Sequence, residues 1–150
     1  PRAPGPGAWR GAAPPPPPVP TPPHPPASPP PLPPFARHKG KAGYPGDGTQ
    51  RWPAVHALDA AVLFRLALES APPGTSWHAV ADEGDAVRDI ASVIGRRLEL
   101  PVEAEPQESF GPFGPIFAMD QPSSSVHTRE ALGWEPTHPS LLDDLENIQP

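Results

Sequence analysis

The chain has 150 residues, of which 30 are proline and 13 are glycine, and it contains no cysteine. Without cysteine there can be no disulfides, thiolate nucleophiles or cysteine-based metal sites, and a reducing, cytoplasmic location is expected. The formal charge of −6 argues against nucleic acids and anionic membrane surfaces as partners, because both attract clustered positive charge. The longest apolar stretch, residues 60–68, carries Arg65 and is too short to span a bilayer.

Residues 1–34 form a proline-rich arm that holds 18 of the 30 prolines and only two charges, Arg2 and Arg10. Proline lacks the backbone N–H and fixes φ near the polyproline II value, so the arm is predicted to be extended and disordered rather than helical or sheet-forming. Registers such as Pro20–Pro23 match P-x-x-P ligands of SH3 and WW domains. Because a segment this rich in proline contains such registers by chance, composition without function is the favoured interpretation.

The body, residues 35–150, carries nine basic and 17 acidic residues, a formal charge of −8. Its first part is predicted to contain the end of a short basic helix (36–41), a glycine-rich turn (43–48) and an extended segment (51–57). Asp59 then opens a strong helix in which its carboxylate caps free N–H groups. Leu58, Val62 and Leu66, with Leu63 and Ala67, recur at helical spacing until Pro72 ends the helix.

The second part of the body begins with a predicted buried strand over residues 75–81 and a turn over 82–85. A helix over 87–98 follows, with a stripe of five apolar residues on one side: Val87, Ile90, Ala91, Ile94 and Leu98. The remaining predictions are a strand (101–105), irregular helical turns (107–119), a short helix (128–132) stopped by Gly133, and a last helix capped by Ser140 with Asp143. That last helix buries Leu141, Leu142, Leu145 and Ile148.

These elements predict an α+β fold with two or three short strands and about four helices. The strands are too few and too short for a complete sheet. We therefore expect another domain to complete it.

Composition and spacing reveal no catalytic constellation. The six histidines are not paired at metal-ligand spacing: His24, His38, His56, His78, His127 and His138. His56, at the junction of a strand and a helix, is interpreted as a packing histidine because it has no visible partner. Nucleophile-elbow and dinucleotide-binding glycine motifs are absent. Residues 123–125, a serine run, could bind an anion or cap a helix, and these alternatives stay open.

Several sequence motifs in the chain nevertheless resemble those of a known family. Residues 46–61 match the pattern G-x-G-x-x-R-x-x-x-V-H-x-x-D-x-A, and residues 76–80 and 88–96 look like the strand and helix that follow it. Residues 132–136, L-G-W-E-P, resemble the motif that precedes the last helix. In this order, these motifs resemble the extended and atypical short-chain dehydrogenase/reductases, also called the NAD-dependent epimerase/dehydratase family.

The resemblance implies a two-part α/β enzyme. In such enzymes a Rossmann domain binds NAD or NADP through a glycine-rich turn and carries a Tyr-x-x-x-Lys pair, and a smaller C-terminal part closes over a small-molecule substrate. This chain resembles only the C-terminal part. Its single tyrosine, Tyr44, has Gly48 rather than lysine four residues later. We therefore expect an incomplete, substrate-side fragment that is inactive alone and binds no cofactor.

One site residue follows from the resemblance. Arg51 aligns with an arginine that contacts substrate phosphates in some sugar-nucleotide members, a role that suits a bidentate guanidinium. A strand-end salt bridge is an equal alternative for Arg51. Asp59 matches the family's aspartate and is interpreted as the helix cap.

Upstream of Phe35 the chain departs from the family, which would show a Rossmann domain there. One hypothesis is that residues 1–34 come from a misread, truncated or frame-shifted gene model, and the start on Pro1 rather than Met favours a fragment. The rival is a real splice or fusion product with the arm as a spacer. If the chain is the substrate-side fragment of such an enzyme, we expect an exposed apolar face where the Rossmann domain would pack. Leu63, Leu66, Ile90 and Ile94 are candidates for the core or for this interface.

Overall fold

A computed structural model describes residues 32–149, which adopt a mixed α/β fold. The predictions for the arm, including its P-x-x-P registers, lie outside these residues except at Pro33 and Pro34. The elements in chain order are α1 (Leu32–Lys39), β1 (Ala42–Pro45), β2 (Arg51–Ala54), α2 (Ala57–Ser70), β3 (Asp82–Ala86), α3 (Val87–Leu98), β4 (Val102–Glu105), a 3₁₀ helix (Gln107–Phe113), α4 (Gly114–Phe117), α5 (Val126–Leu132) and α6 (Leu141–Leu145). Among residues 32–149, none of the helices has the length and apolarity that a bilayer crossing needs.

The strands form two separate pairs. β1 runs parallel to β4, with Ala42 opposite Val102, and β2 runs antiparallel to β3, with Arg51 opposite Ala86. The second pairing is irregular between Trp52 and Ala54, where the intervening Pro53 has no N–H to donate. Two-stranded ribbons are marginal without a packed face, so both pairs depend on the helices beside them.

The core of residues 32–149 is centred on α3, as the apolar stripe predicted. Val87, Ile90, Ala91 and Ile94 are buried and Leu98 is partly buried. Ile90, Ala91, Ile94 and Leu98 pack in one cluster with residues from three other elements: Ala36 of α1, Ala42 of β1 and Leu145 of α6. Leu141, Leu142 and Ile148 also pack on this cluster, which confirms the predicted buried side of the last helix.

Gly95 marks the closest approach of α3 to the start of β4. A Cβ at this position would lie 2.3 Å from Val102 Cγ2 and 3.0 Å from the Leu100 carbonyl oxygen. Alanine would gain about 1 kcal/mol in helix propensity, but overpacking against backbone costs about 1–3 kcal/mol. We expect Gly95→Ala to lower the free energy of unfolding in urea denaturation by up to about 2 kcal/mol, the difference between these two effects. Ser92→Ala, on the exposed side of α3, should change it by less than about 0.5 kcal/mol, and equal effects would contradict this packing.

Most local predictions for the second half of the chain are confirmed. α3 spans residues 87–98 as predicted, β4 falls within 101–105, and short helical turns follow over 107–117. Gly133 ends α5 with a positive φ of 61°, and Ser140 accepts a hydrogen bond from the Asp143 N–H at the start of α6.

Pro33 and Pro34, assigned above to the proline-rich arm, both lie in the first turn of α1. The first N–H groups of a helix have no intrahelical acceptor, so proline is tolerated there although it breaks a helix interior. The expectation that these two prolines are non-helical is therefore wrong.

The predicted turn at residues 43–48 and the predicted strand at residues 75–81 are also wrong in part. Residues 43–45 belong to β1 rather than to a turn, and only the chain after them turns, with positive φ at Gly46 and Gly48. Residues 75–81 form no strand, whereas residues 82–86, predicted to begin as a turn, form β3. The polar sequence of β3 has low strand propensity, but β2 lies beside it as a partner. In the described part of the chain, Ala81 alone of residues 75–81 bonds to β2, through its N–H to the Ala54 carbonyl oxygen at 2.8 Å, and no regular pairing extends further along the segment.

α2 confirms the predicted helix and its end before Pro72, but not the predicted roles of its residues. The N-cap is His56, whose Nδ1 accepts a hydrogen bond from the Leu58 N–H at 3.2 Å. Asp59 is buried instead of capping. Leu58 and Val62 are exposed, and Leu63 is the apolar residue of α2 that is buried.

Candidate functional site

Arg51 lies at the rim of an open groove with a volume of about 270 Å³. β2 places Arg51 on one wall, β3 forms the floor, and the chain before α5 forms the other wall. The lining residues are Arg51, Glu83, Gly84, Pro122, Ser123 and Ser124. A Cβ at Gly84 would lie 2.9 Å from the Arg51 Cβ, so a side chain at position 84 would collide with Arg51 and occupy the groove.

The Arg51 guanidinium is paired with Asp120. Arg51 Nε donates to Asp120 Oδ1 at 3.1 Å and Nη2 donates to Oδ2 at 2.9 Å, and the Arg51 backbone N–H also donates to Oδ1 at 2.8 Å. These hydrogen bonds raise the pKa of Arg51 and lower the pKa of Asp120. Both side chains are about half exposed. The geometry is that of the strand-end salt bridge considered for Arg51, and contact with a substrate stays a prediction.

The serine run supplies hydroxyl groups to the same groove. Ser124 Oγ donates to Glu83 Oε1 at 2.7 Å, while His78 Nδ1 lies 3.0 Å from the Ser124 carbonyl oxygen and 3.2 Å from Ser123 Oγ. Ser125 is buried and donates through Oγ to the Val80 carbonyl oxygen at 2.5 Å. Ser125 is the N-cap residue of α5 but makes no side-chain capping bond.

The charges around this groove oppose a strongly anionic ligand. The Arg51 guanidinium already has a carboxylate partner in Asp120, and Glu83 adds a second carboxylate. Carboxylates accept hydrogen bonds from hydroxyl groups but repel phosphate, whereas serine hydroxyls can bind either group. The groove is therefore suited chemically to a hydroxylated, weakly charged group.

A second polar cluster joins α2 to the segment before α6. Asp59 accepts hydrogen bonds from the Thr137 N–H at 3.1 Å, the His138 N–H at 3.0 Å and His138 Nδ1 at 2.7 Å. Burial alone would raise the pKa of Asp59, but these hydrogen bonds, led by the His138 side chain, lower it to about 2. Trp134 Nε1 donates to the Asp59 carbonyl oxygen at 3.0 Å.

His56 completes this cluster, since its ring stacks on the His138 ring with centroids 4.5 Å apart. Neither contact could be predicted from the sequence, because Asp59 and His138 are 79 positions apart. Asp59 and the L-G-W-E-P motif carry no local pattern that indicates their pairing.

The described residues do not fit a nicotinamide cofactor. The Gly46–Gly48 turn leads into strand β2 rather than into a helix N-terminus, where a pyrophosphate would bind. Asp47 also places a carboxylate in this turn, where it accepts hydrogen bonds from the Thr49 N–H at 3.0 Å and Oγ1 at 2.7 Å. Tyr44 lies on β1 against Gly48, with no lysine four residues on. Within residues 32–149, no cluster of three or more metal-ligating side chains occurs.

Comparisons with known proteins give relatives of this chain but no family. No family model matches. The chain is 46% identical over 114 residues to the uncharacterized protein C2A9.02 of Schizosaccharomyces pombe and 44% identical over 115 residues to the uncharacterized protein YLL056C of Saccharomyces cerevisiae. These matches cover 73% and 74% of the chain but 39% of each relative. The chain thus spans about two fifths of the length of these curated relatives.

One solved structure shows weak similarity to this chain in both fold and sequence. It is RMD from Pseudomonas aeruginosa complexed with NADPH, with a TM-score of 0.49 and 12% sequence identity. The match covers 78% of this chain and 39% of that one.

Proposed function

We propose that this chain is the substrate-binding side of an NAD(P)-dependent oxidoreductase or epimerase of the extended short-chain dehydrogenase/reductase type. It supplies a groove for the substrate and lacks the cofactor turn and the Tyr-x-x-x-Lys pair. By itself the chain therefore binds no nicotinamide cofactor and transfers no hydride.

The observation that carries this proposal is an uncovered face beside α2. Phe64 and Leu68 are 71% and 89% exposed, although both are large and apolar. Next to them, residues 75–81 run without strand structure, with Trp77 and Ala79 lining a cleft beside Phe64. An apolar face beside a segment that forms no strand is a surface that a partner domain would cover. Leu63, Ile90 and Ile94, named above as core or interface, are buried, and Leu66 is partly buried.

The groove at Arg51 supports a hydroxylated small molecule as the substrate class. In this proposal the Asp120 carboxylate holds the guanidinium in place, and Glu83 and Ser124 accept hydrogen bonds from substrate hydroxyls. A phosphate-bearing substrate would have to displace Asp120 from Arg51. The proposal therefore favours contact between Arg51 and a hydroxyl or carbonyl oxygen over contact with a phosphate.

We expect isothermal titration of the 150-residue chain with NADPH, and separately with NADH, to give no binding heat. The physical reason is that the Gly46–Gly48 turn presents Asp47 rather than a helix N-terminus to a pyrophosphate. Binding at micromolar concentration of either cofactor would overturn the proposal.

A chimera supplies the matching positive measurement. In this chimera, residues 35–149 of the chain replace the matching region of the S. pombe relative, and the rest of the relative's sequence is kept. The chimera and the intact relative should both bind NADPH, and Arg51→Ala in the chimera should leave that affinity unchanged because Arg51 lies on the substrate side. An intact relative that binds neither cofactor would refute the family assignment itself.

A further inference from the structure

The groove at Arg51 is held together by backbone hydrogen bonds between its walls and its floor. The Gln121 N–H donates to the Arg51 carbonyl oxygen at 2.9 Å, and the Ser123 N–H donates to the Glu83 carbonyl oxygen at 2.9 Å. The chain before α5 therefore runs alongside both β2 and β3, and Ser123 is held close to Glu83. The donors and acceptors that these residues present decide what the groove can bind.

His78 determines the role of the Ser123 hydroxyl. His78 Nδ1 lies 3.0 Å from the Ser124 carbonyl oxygen and 3.2 Å from Ser123 Oγ. Because a carbonyl oxygen has no proton, Nδ1 carries the proton of this hydrogen bond, whether the ring is neutral or charged. Ser123 Oγ then accepts from the same N–H. The Ser123 hydroxyl proton is therefore available to an acceptor in the groove.

Glu83 has the opposite role and offers the groove an acceptor. Ser124 Oγ donates its proton to Glu83 Oε1 at 2.7 Å, since a carboxylate can only accept. Glu83 is exposed and lines the groove. Among residues 32–149, no donor reaches its second oxygen, Oε2. This oxygen suits the hydroxyl group of a ligand.

The Arg51 guanidinium adds donors to the groove. Its Nε and Nη2 donate to Asp120, and in the described part of the chain Nη1 has no acceptor. The Nη1 group therefore keeps two N–H donors for a ligand oxygen. Because Asp120 already balances the charge of Arg51, these donors suit a neutral carbonyl oxygen better than an anion.

We infer that the groove takes a hydroxycarbonyl compound, a hydroxyaldehyde or hydroxyketone, as its substrate. The carbonyl oxygen of this compound accepts hydrogen bonds from the Ser123 hydroxyl and Arg51 Nη1, and its hydroxyl group donates to Glu83 Oε2. His78 is a positioning residue, because it acts through Ser123. The inference rests on the proposed function, which makes this groove the substrate site, and it narrows the substrate class. A carbonyl group is also what hydride transfer from a nicotinamide cofactor reduces.

NMR titration of the 150-residue chain tests this pattern with three small probes. Hydroxyacetone carries both groups, methoxyacetone lacks the hydroxyl proton, and 1-propanol lacks the carbonyl oxygen. The amide resonances of Gly84, Ser123 and Ser124 report binding in the groove, and molecules this small bind at millimolar concentration. Hydroxyacetone should bind at least about threefold more tightly than either comparison probe, which loses one hydrogen bond. Equal affinities, or no shift of these resonances by hydroxyacetone, would overturn the inference.

Two variants test the two halves of the pattern separately. Ser123→Ala should weaken binding of hydroxyacetone and methoxyacetone at least about threefold and leave 1-propanol unchanged. Glu83→Gln should weaken hydroxyacetone and 1-propanol to a similar extent but not methoxyacetone, because its amide N–H would face the ligand hydroxyl. Ser92→Ala, on the exposed side of α3, is the control and should change none of the affinities. Equal weakening of all three probes by both groove variants would refute the assigned roles.

The positioning role of His78 is tested by two variants of nearly equal size. Asparagine supplies an N–H donor close to the position of Nδ1, and leucine supplies none. His78→Asn should keep the preference for hydroxyacetone. His78→Leu should lose it, because the Ser123 hydroxyl then becomes the donor to the Ser124 carbonyl oxygen. The same result for both variants, whether loss or retention, would contradict the positioning role.

The substrate class and the proposed function fail separately. A chain that binds no NADPH and shows no preference for hydroxyacetone would keep the substrate-side assignment and lose the hydroxycarbonyl class. A chain that binds NADPH and prefers hydroxyacetone would keep the specificity of the groove and lose the proposed function.

Discussion

Replacing Trp134 by alanine is expected to cost about 3–5 kcal/mol of unfolding free energy, a large part of the roughly 5–15 kcal/mol that stabilises a typical domain. Trp134 has no exposed surface, and its indole N–H donates to the Asp59 carbonyl oxygen. The Arg129 guanidinium lies 5.8 Å from the ring centroid on top of it. The substitution would remove packing, a buried hydrogen bond and this cation–π contact together. Urea denaturation followed by circular dichroism measures the loss.

Trp77→Ala is the matched control for this expectation. Trp77 is only partly buried; its ring stacks on His127 with centroids 5.3 Å apart, and its Nε1 donates to Thr75 Oγ1 at 2.9 Å. Its removal should cost about 1 kcal/mol, the value of an aromatic pair near the surface. If both tryptophan variants lose the same stability, Trp134 does not hold α2 to the segment before α6.

Asp59→Asn is expected to lower the midpoint of thermal unfolding at pH 7 by on the order of 10 °C. Asparagine keeps the size of the side chain, but its NH₂ group replaces one of the two oxygens that accept hydrogen bonds from residues 137 and 138. The new side-chain N–H then faces one of the buried N–H donors of residues 137 and 138, and two buried donors without an acceptor lower the free energy of unfolding substantially. Differential scanning fluorimetry gives the midpoint.

The stabilisation that the Asp59 carboxylate contributes should decrease as the pH falls. The folded-state pKa of Asp59 is about 2, below the unfolded value of about 3.9. Its contribution is therefore fully present above pH 4 and is lost as the pH falls through 2. The gap between the wild-type and Asp59→Asn midpoints should narrow between pH 4 and pH 2.

Asp120→Asn provides the exposed counterpart. Asp120 also has a lowered pKa and an arginine partner, but it is half exposed, and exposed ion pairs stabilise proteins little. Its midpoint should stay within about 3 °C of the wild type. A shift as large as that of Asp59→Asn would show that burial is not what makes the Asp59 cluster important.

The helices were predictable because their signals are local. The spacing of three and then four residues between Val87, Ile90 and Ile94 predicted both α3 and its buried side. Ser140 with Asp143 predicted the start of α6, and Gly133 predicted the end of α5, because capping and left-handed turns involve residues close in sequence.

Strand positions and polar contacts were not predictable in the same way. Residues 75–81 have a more strand-like sequence than residues 82–86, yet it is the latter that pair with β2 as a strand. Pairing between strands is decided by which partner is within reach, and that depends on the whole fold. The same holds for Arg51 and Asp120, which are 69 positions apart.

By itself, the sequence determined the composition of the arm, the helices of the body and the motif order that resembles one enzyme family. Only the tertiary structure decided that Asp59 joins α2 to His138, that Arg51 is paired with Asp120, and that Phe64 and Leu68 lie uncovered. Helix signals act over three or four residues and can be read along the chain. Ion pairs and exposed faces depend on residues far apart in sequence, which are brought together only when the helices and strands pack.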